Sequence, residues 1–192
     1  MAFIEKPIAL DPGVGGRSIG PDALAAADIV VSTTSAGVSG AIRLGSNAVV
    51  SHAALYAGSG TMIEAIGEGV VSRSLDNSLA DDKLAVVYRH PDATSDLAKK
   101  VVKYASAQID KKYDLAGAGL AQGLLCFVRD DKKTAFFCSE LVMEAFKQAG
   151  LPLGTMPSQC YTPGDVAAIG IQRLVYVGHL KGDAAWFPKL SP

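Results

Sequence analysis

Val49-Val50-Ser51-His52-Ala53-Ala54-Leu55-Tyr56-Ala57-Gly58-Ser59-Gly60-Thr61-Met62-Ile63-Glu64-Ala65-Ile66 reads as two apolar, partly β-branched runs joined by a glycine turn, the pattern of a β-hairpin. Side chains along a strand alternate between faces, so residues of one parity share a side. With the turn centred near residues 58–59, His52 faces Glu64 directly or lies on its diagonal, on the same side of the sheet and within reach. A carboxylate there can accept the imidazole N–H, fix the tautomer and stabilise the imidazolium. The plainer reading of the same pair is a core histidine beside a rim glutamate.

Working outward, Asp28-Ile29-Val30-Val31-Ser32 predicts a first short strand, Gly69-Val70-Val71-Ser72-Arg73 a third strand beside the hairpin, and Leu84-Ala85-Val86-Val87-Tyr88-Arg89 another. Leu174-Val175-Tyr176-Val177-Gly178 predicts a closing strand. Residues 35–46 are small and glycine-punctuated, with one helical turn expected at Ala41-Ile42-Arg43-Leu44. Thr94 or Ser95 is placed to cap a helix over about 96–109, whose Leu97, Ala98, Val101, Val102, Ala105 and Ile109 fall on one face. A second helix is expected from near Phe137 to Ala149, closed by Gly150 and stopped by Pro152. No internal repeat or long linker interrupts this order. It predicts one α+β domain over residues 21–192, an antiparallel sheet packed against helices, after an irregular Gly/Pro-rich arm over 1–20.

The second helix opens on Phe136-Phe137-Cys138-Ser139-Glu140-Leu141-Val142. Val142, Ala145 and Ala149 share the face of Cys138, which turns its sulfur toward the packed side. Unsatisfied N–H groups and the positive end of a helix stabilise a thiolate at that position. The competing reading is a buried, inert thiol, the usual condition of a free cysteine. Cys126, Cys138 and Cys160 are odd in number and spaced 12 and 22 apart, so Cys126 and Cys160 are expected to be buried thiols, with no disulfide framework and no metal knuckle. Three scattered cysteines and three scattered histidines make a poor zinc set, and neither metal nor cofactor is expected.

Composition narrows the function classes. A chain of 192 residues, 49% apolar and 19% charged, can bury a core and is not broadly disordered. A net charge of −1 with mixed Lys/Asp runs argues against a nucleic-acid partner. No apolar run reaches the roughly eighteen residues of a bilayer span; Leu115 to Val128, broken by Gln122, reads as a buried helix or pocket wall. Residues 1–20 lack the apolar core of a secretory signal, so either the protein stays in the cytoplasm or it leaves by a signal-less route. Pro12-Gly13-Val14-Gly15-Gly16-Arg17-Ser18 lacks the ending of a phosphate loop, and Gly37-Val38-Ser39-Gly40 is no nucleophile elbow.

Ser51-His52-Ala53-Ala54-Leu55-Tyr56, Ile63-Glu64-Ala65 and Phe137-Cys138-Ser139-Glu140-Leu141-Val142 together resemble the permuted NlpC-type papain-like hydrolases, the YiiX-like branch. The likeness runs from Ala27-Asp28-Ile29-Val30, similar to the family's opening Gly-Asp strand, to Thr162-Pro163-Gly164-Asp165. It implies a papain-like fold in permuted order, with the histidine strand ahead of the cysteine helix. It implies Cys138 as nucleophile, His52 as base and Glu64 as the orienting acid. Tyr113 and Asp114 match the family's segment before the cysteine helix and would line the pocket. Tyr56 and Ser51 are the substrate-side candidates for a second oxyanion donor, beside the Cys138 N–H, although core packing and strand solvation are the plainer duties of the two. The chain departs from the family in having Ala27 for a glycine and in its glycine-rich arm.

Two other histidines compete. His179 follows the cysteine, as the base does in unpermuted papain-like enzymes, but without a carboxylate partner in a neighbouring hairpin and with Lys181-Gly182-Asp183 reading as solvated loop. His90 reads as an exposed turn residue before Pro91. The resemblance implies a cysteine amidase or endopeptidase acting through a thioester on peptidoglycan stem peptides. Without a signal, one route to the wall is delivery as an antibacterial effector or toxin, which would need a cognate immunity protein in the producer. The alternatives are an acyltransferase or lipid hydrolase of the lecithin:retinol acyltransferase type, with residues 115–128 lining an acyl channel, and a non-catalytic binding module.

Overall fold

A computed structural model describes residues 17–34, 50–121, 126–127 and 133–182. Its elements are β1 (Ile29–Thr34), β2 (His52–Gly58), β3 (Thr61–Ile66), β4 (Gly69–Ser74), α1 (Leu75–Ser78) and β5 (Asp82–Arg89). There follow α2 (Ser95–Ser106), β6 (Lys112–Tyr113), α3 (Leu115–Leu120), β7 (Ala135–Phe136), α4 (Cys138–Gln148), α5 (Pro163–Arg173) and β8 (Val175–Gly182). The main sheet has the order β4-β3-β2-β1-β5-β8, and every neighbouring pair is antiparallel.

Alternation along the strands divides the core. Ile29, Val31, Leu55, Val86 and Tyr88 point to one face and meet Val101 of α2, Leu141 and Phe146 of α4, and Val166 of α5. Val30, Tyr56, Met62, Val87 and Val177 point to the other, under Leu75 and Leu79, with Ile19 and Leu24 alongside. Helices on one face of an antiparallel sheet make the α+β arrangement expected. The hairpin turn needs three left-handed residues in succession, Gly58 (φ +100), Ser59 (φ +50) and Gly60 (φ +72). The Tyr56 hydroxyl pins it by accepting the Gly60 N–H at 2.8 Å.

Thr94 caps α2 by accepting the Leu97 N–H at 3.4 Å. Gly150 (φ +85) ends α4: its N–H donates to Lys147 and that of Leu151 to Phe146, closing the helix where the sequence predicts. Ala27, standing where the family has glycine, also adopts φ +70, a conformation that costs a side chain about 1 kcal/mol. Next to it the buried Asp28 is gripped by Arg89 through two bonds of 2.7 Å, tying the segment before β1 to the end of β5.

Several expectations are corrected. Lys181 and Gly182 are not solvated loop but the end of β8, paired with Ala85 and Leu84, because the Lys181 ammonium donates to the Leu79 and Ala80 carbonyls. Within the N-terminal arm, Arg17 to Ile19 runs parallel to β8, exchanging backbone bonds with His179 and covering that sheet edge. Helix α5 was not foreseen, although Thr162 and Asp165 form a capping box with Pro163 in the first turn. Of the apolar stretch, α3 takes the first part; Ala41 to Leu44 and Gly37 to Gly40 lie outside the described residues.

Cys126 and Cys160 are not two buried thiols. They form a disulfide with Cα atoms 5.3 Å apart, which leaves Cys138 the free cysteine. Spacing along the chain says nothing of approach in space, and the bridge closes a 34-residue separation that contains the whole of α4. A cross-link of this span is worth about 3–4 kcal/mol through the entropy it removes from the unfolded chain. Urea unfolding with and without dithiothreitol is expected to differ by that amount; coincident curves would show that the bridge does not form.

Candidate active site

His52 opens β2 and Glu64 sits on β3, at the end of the hairpin away from its turn. The ladder between the two strands has Leu55↔Ile63 as its last pair in that direction, so His52 is the diagonal neighbour of Glu64. The His52 Nε2 lies 2.7 Å from the Glu64 Oε2. Glu64 is 2% exposed while the histidine keeps 17% of its side chain open to solvent. Arg73 of β4 lies 3.6 Å from the other carboxylate oxygen.

The start of α4 meets β2 where that ladder has ended. The Cys138 sulfur bonds the His52 ring and also accepts from the backbone N–H groups of Ala53 and Ser139. With Nε2 engaged by Glu64, the nitrogen left to face the sulfur is Nδ1. No side chain caps α4, whose preceding residue is Phe137, so its first N–H groups stay available to an anion at the cysteine. The Ser139 hydroxyl is committed to the Tyr161 carbonyl at 2.7 Å, which fixes the first turn. Further along, the buried Glu140 and Glu144 are held by Lys133, with Ser158 donating to Glu144 at 2.5 Å, so a helix buried on nearly every side carries its charges in pairs.

Three ionisations are set together here. Burial alone would raise the Cys138 thiol, but the His52 ring and the Ala53 and Ser139 N–H groups outweigh it and hold the thiol below its ordinary range. Burial pulls the His52 imidazolium down, yet Cys138 and Glu64 raise it to about 10. Burial would push Glu64 up, but His52, Ser78 and Arg73 keep it below the usual carboxylate range. A lowered thiol beside a raised imidazole favours thiolate and imidazolium over the neutral pair across neutral pH. That state is lost on the acid side as the thiolate takes a proton, and on the alkaline side as His52 loses one.

The other predicted residues divide. Tyr113 is brought to the site: β6 and β7 pair in parallel, Tyr113 opposite Phe136, and burial, with the charge of Cys138 added to it, drives the phenol up. Asp114 caps α3, accepting the Gly117 N–H at 2.7 Å. Ser51 is buried beside His52, and its hydroxyl has no hydrogen-bond partner among the described residues. Tyr56 is not brought to the cysteine. It lies four residues along β2 from His52, about 13 Å, with its hydroxyl on the hairpin turn.

His179 is three strands from His52 in the sheet order, a separation of about 14 Å. It is 2% exposed, and its Nδ1 bonds the Tyr176 hydroxyl, a partner the sequence did not suggest. His90 is half-buried rather than exposed; its Nδ1 accepts the Asp92 N–H and its ring stacks on Phe146. Arg73 was missed because its neighbour Glu64 is reached only through the β3–β4 register, Met62 opposite Arg73.

An antiparallel sheet whose histidine strand precedes a cysteine-bearing helix is the architecture of a permuted papain-like cysteine hydrolase. A family model described as permuted papain-like amidase enzyme, YaeF/YiiX, C92 family, matches residues 23–160, and the chain belongs to that family. It is 31% identical over 191 residues to the Escherichia coli K12 protein named probable lipoprotein peptidase YaeF, spanning 80% of this chain and 70% of that one. The crystal structure of metalloprotein yiiX from Escherichia coli O157:H7 superposes with a TM-score of 0.55 at 20% identity, over 79% of this chain and 87% of that one, a likeness of fold. In this chain no three His, Cys, Asp or Glu side chains gather to hold a metal ion among the described residues. None of the helices among those residues is long and apolar enough to cross a membrane. The chain is thus a cysteine hydrolase of the peptidase or amidase kind.

Proposed function

We propose that the protein cleaves an amide bond in peptidoglycan stem peptides by covalent catalysis, with Cys138 as nucleophile, His52 as acid and base, and Glu64 as the group that orients His52. The observation carrying this reading is the continuous bonding from Cys138 to His52 to Glu64 at the start of α4. The thiolate attacks the carbonyl carbon, and the electron pair of the C=O moves onto oxygen. The Cys138 N–H at the helix start faces that oxyanion. Collapse expels the amine, which takes the His52 proton, and leaves a thioester. Water, losing a proton to His52, then hydrolyses the thioester and restores the thiol. In this reading Tyr113, within the electrostatic reach of the sulfur, and the Ser51 hydroxyl, without a hydrogen-bond partner among the described residues, contact substrate or the oxyanion, and Asp114 holds the segment that carries Tyr113.

The Cys126–Cys160 disulfide supports a working place outside a reducing cytosol, as does the word lipoprotein in the name of the Escherichia coli relative. Action on a competitor's wall, with an immunity protein protecting the producer, is the effector form of the proposal. Periplasm-directed expression in Escherichia coli tests it: lysis is expected with the wild-type chain and not with Cys138→Ala.

A second reading, acyl transfer or lipid hydrolysis, draws on the exposure of Leu115 (69%) and Phe127 (53%), both in the apolar stretch. Incubation of the purified protein with stem-peptide fragments and with phospholipid vesicles separates the two. New free amines from the peptides alone are expected. Fatty-acid release with intact peptides would overturn the amidase reading in favour of the lipid one.

A further inference from the structure

Six side chains, one from each strand, form a polar row across one face of the main sheet: Arg73, Glu64, His52, Ser32, Asp82 and Lys181, in the order β4, β3, β2, β1, β5, β8. Arg73 lies 3.6 Å from Glu64, and Glu64 2.7 Å from His52. Ser32 stands directly opposite His52 in the β1–β2 register, where facing Cβ atoms are about 5 Å apart. Asp82 hydrogen-bonds Ser32 and lies within the electrostatic reach of His52, Glu64 and Lys181.

Simple alternation would have sent Asp82 to the helix-covered face with Leu84. Instead the β1–β5 register slips between Thr33 and Thr34, so that Asp82 stands opposite Thr34, on the parity of Ser32. A bulge thus re-aims one carboxylate toward the site histidine. Asp82 is 9% exposed, and its Oδ2 has no hydrogen-bond partner among the described residues. A carboxyl so buried and incompletely bonded costs stability, and the Cys138–His52–Glu64 chemistry makes no use of it.

We propose that Asp82 is a second positioning residue for His52, acting on the ring by its charge from the side opposite Glu64, with the hydroxyl of Ser32 holding its carboxyl on that face. The inference rests on the Cys138–His52–Glu64 reading of the site. Two carboxyl groups then bracket one imidazole with their proton affinities displaced in opposite directions. Glu64 is held ionised, whereas burial pushes Asp82 above the usual carboxylate range, against the pull of Ser32, His52 and Lys181. At the alkaline end both are charged and both favour the imidazolium. The charged and titratable groups acting on His52 are Cys138 from α4 and Glu64 from β3, both bonded to the ring, and Asp82 from β5, which acts by its charge alone. Arg73 and Lys181 act on the two carboxyls from the outer strands, and Tyr113 lies within the electrostatic reach of the sulfur.

Imidazole nitrogen NMR between about pH 5 and about pH 11 follows His52 directly, since the chain has three histidines. In the wild type the His52 midpoint is expected well above the ordinary value of about 6.5. Asp82→Asn keeps shape and the bond to Ser32 but removes the charge, and is expected to bring the midpoint down by about one pH unit. Ser32→Ala, which deletes only the hydroxyl that holds the Asp82 carboxyl, is expected to lower it by less and carries the test should Asp82→Asn fail to fold, as judged by thermal melting. A midpoint raised in the wild type and unmoved in the folded variants overturns the assignment of Asp82 and leaves the site reading intact. An ordinary midpoint in the wild type overturns both.

Discussion

Replacing Cys138 by alanine is expected to reduce hydrolysis by roughly 10⁴-fold or more while the chain stays folded. The sulfur is the atom that forms the covalent bond in the proposed reaction, and nothing beside it can stand in. Ser139, the adjacent hydroxyl, is buried and donates to the Tyr161 carbonyl at 2.7 Å, which holds it away from substrate. The other two cysteines are joined to each other. The folded state should survive, because the side chains around α4 pack on Leu141, Val142 and Phe146 rather than on the thiol. Turnover of stem-peptide fragments together with a melting curve checks both halves. Retained activity in a folded Cys138→Ala variant would remove covalent catalysis by this residue.

The second large effect is expected from His52. His52→Ala should cost as much activity as the loss of Cys138, and the double variant should cost no more than either alone, since residues acting as one unit are strongly non-additive. Without the ring the thiolate loses its counter-charge and the departing amine its proton donor. His179→Ala provides the contrast. That histidine is buried among Tyr176 and the Arg17–Ile19 segment, so its loss should lower the melting temperature while activity per folded molecule stays near that of the wild type. Activity lost in His179→Ala and kept in His52→Ala would reverse the permuted order of the site.

The hairpin and the start of the cysteine helix were legible because each depends on local rules. Parity alone puts His52 and Glu64 on one face once the glycine turn is located, and Gly150 with Pro152 marks the end of α4. The Cys126–Cys160 bridge was not legible, because proximity across a 34-residue separation is decided by how the segment before Cys160 folds against α4. The end of β8 was misread because Lys181 and Gly182 look solvated until the carbonyls of Leu79 and Ala80 arrive to take the ammonium. Asp82 stayed hidden for a related reason. Its face is set by a register slip between Thr33 and Thr34, and no alternation rule anticipates a bulge. Helix α5, by contrast, has a local signature in its capping box at Thr162 and Asp165, with Pro163 in the first turn.

The central claim is that the Cys138 sulfur and the His52 ring share one proton equilibrium. Thiolate absorbance near 240 nm, followed against pH without reductant, tests it most directly, because the disulfide removes Cys126 and Cys160 from the signal. In the wild type the thiolate is expected at pH values well below the ordinary thiol range of about 8.5. In His52→Ala the same step should move to or above that range, as burial then acts unopposed. A wild-type thiol that titrates in the ordinary range, or a step that stays in place when His52 is removed, would contradict the account.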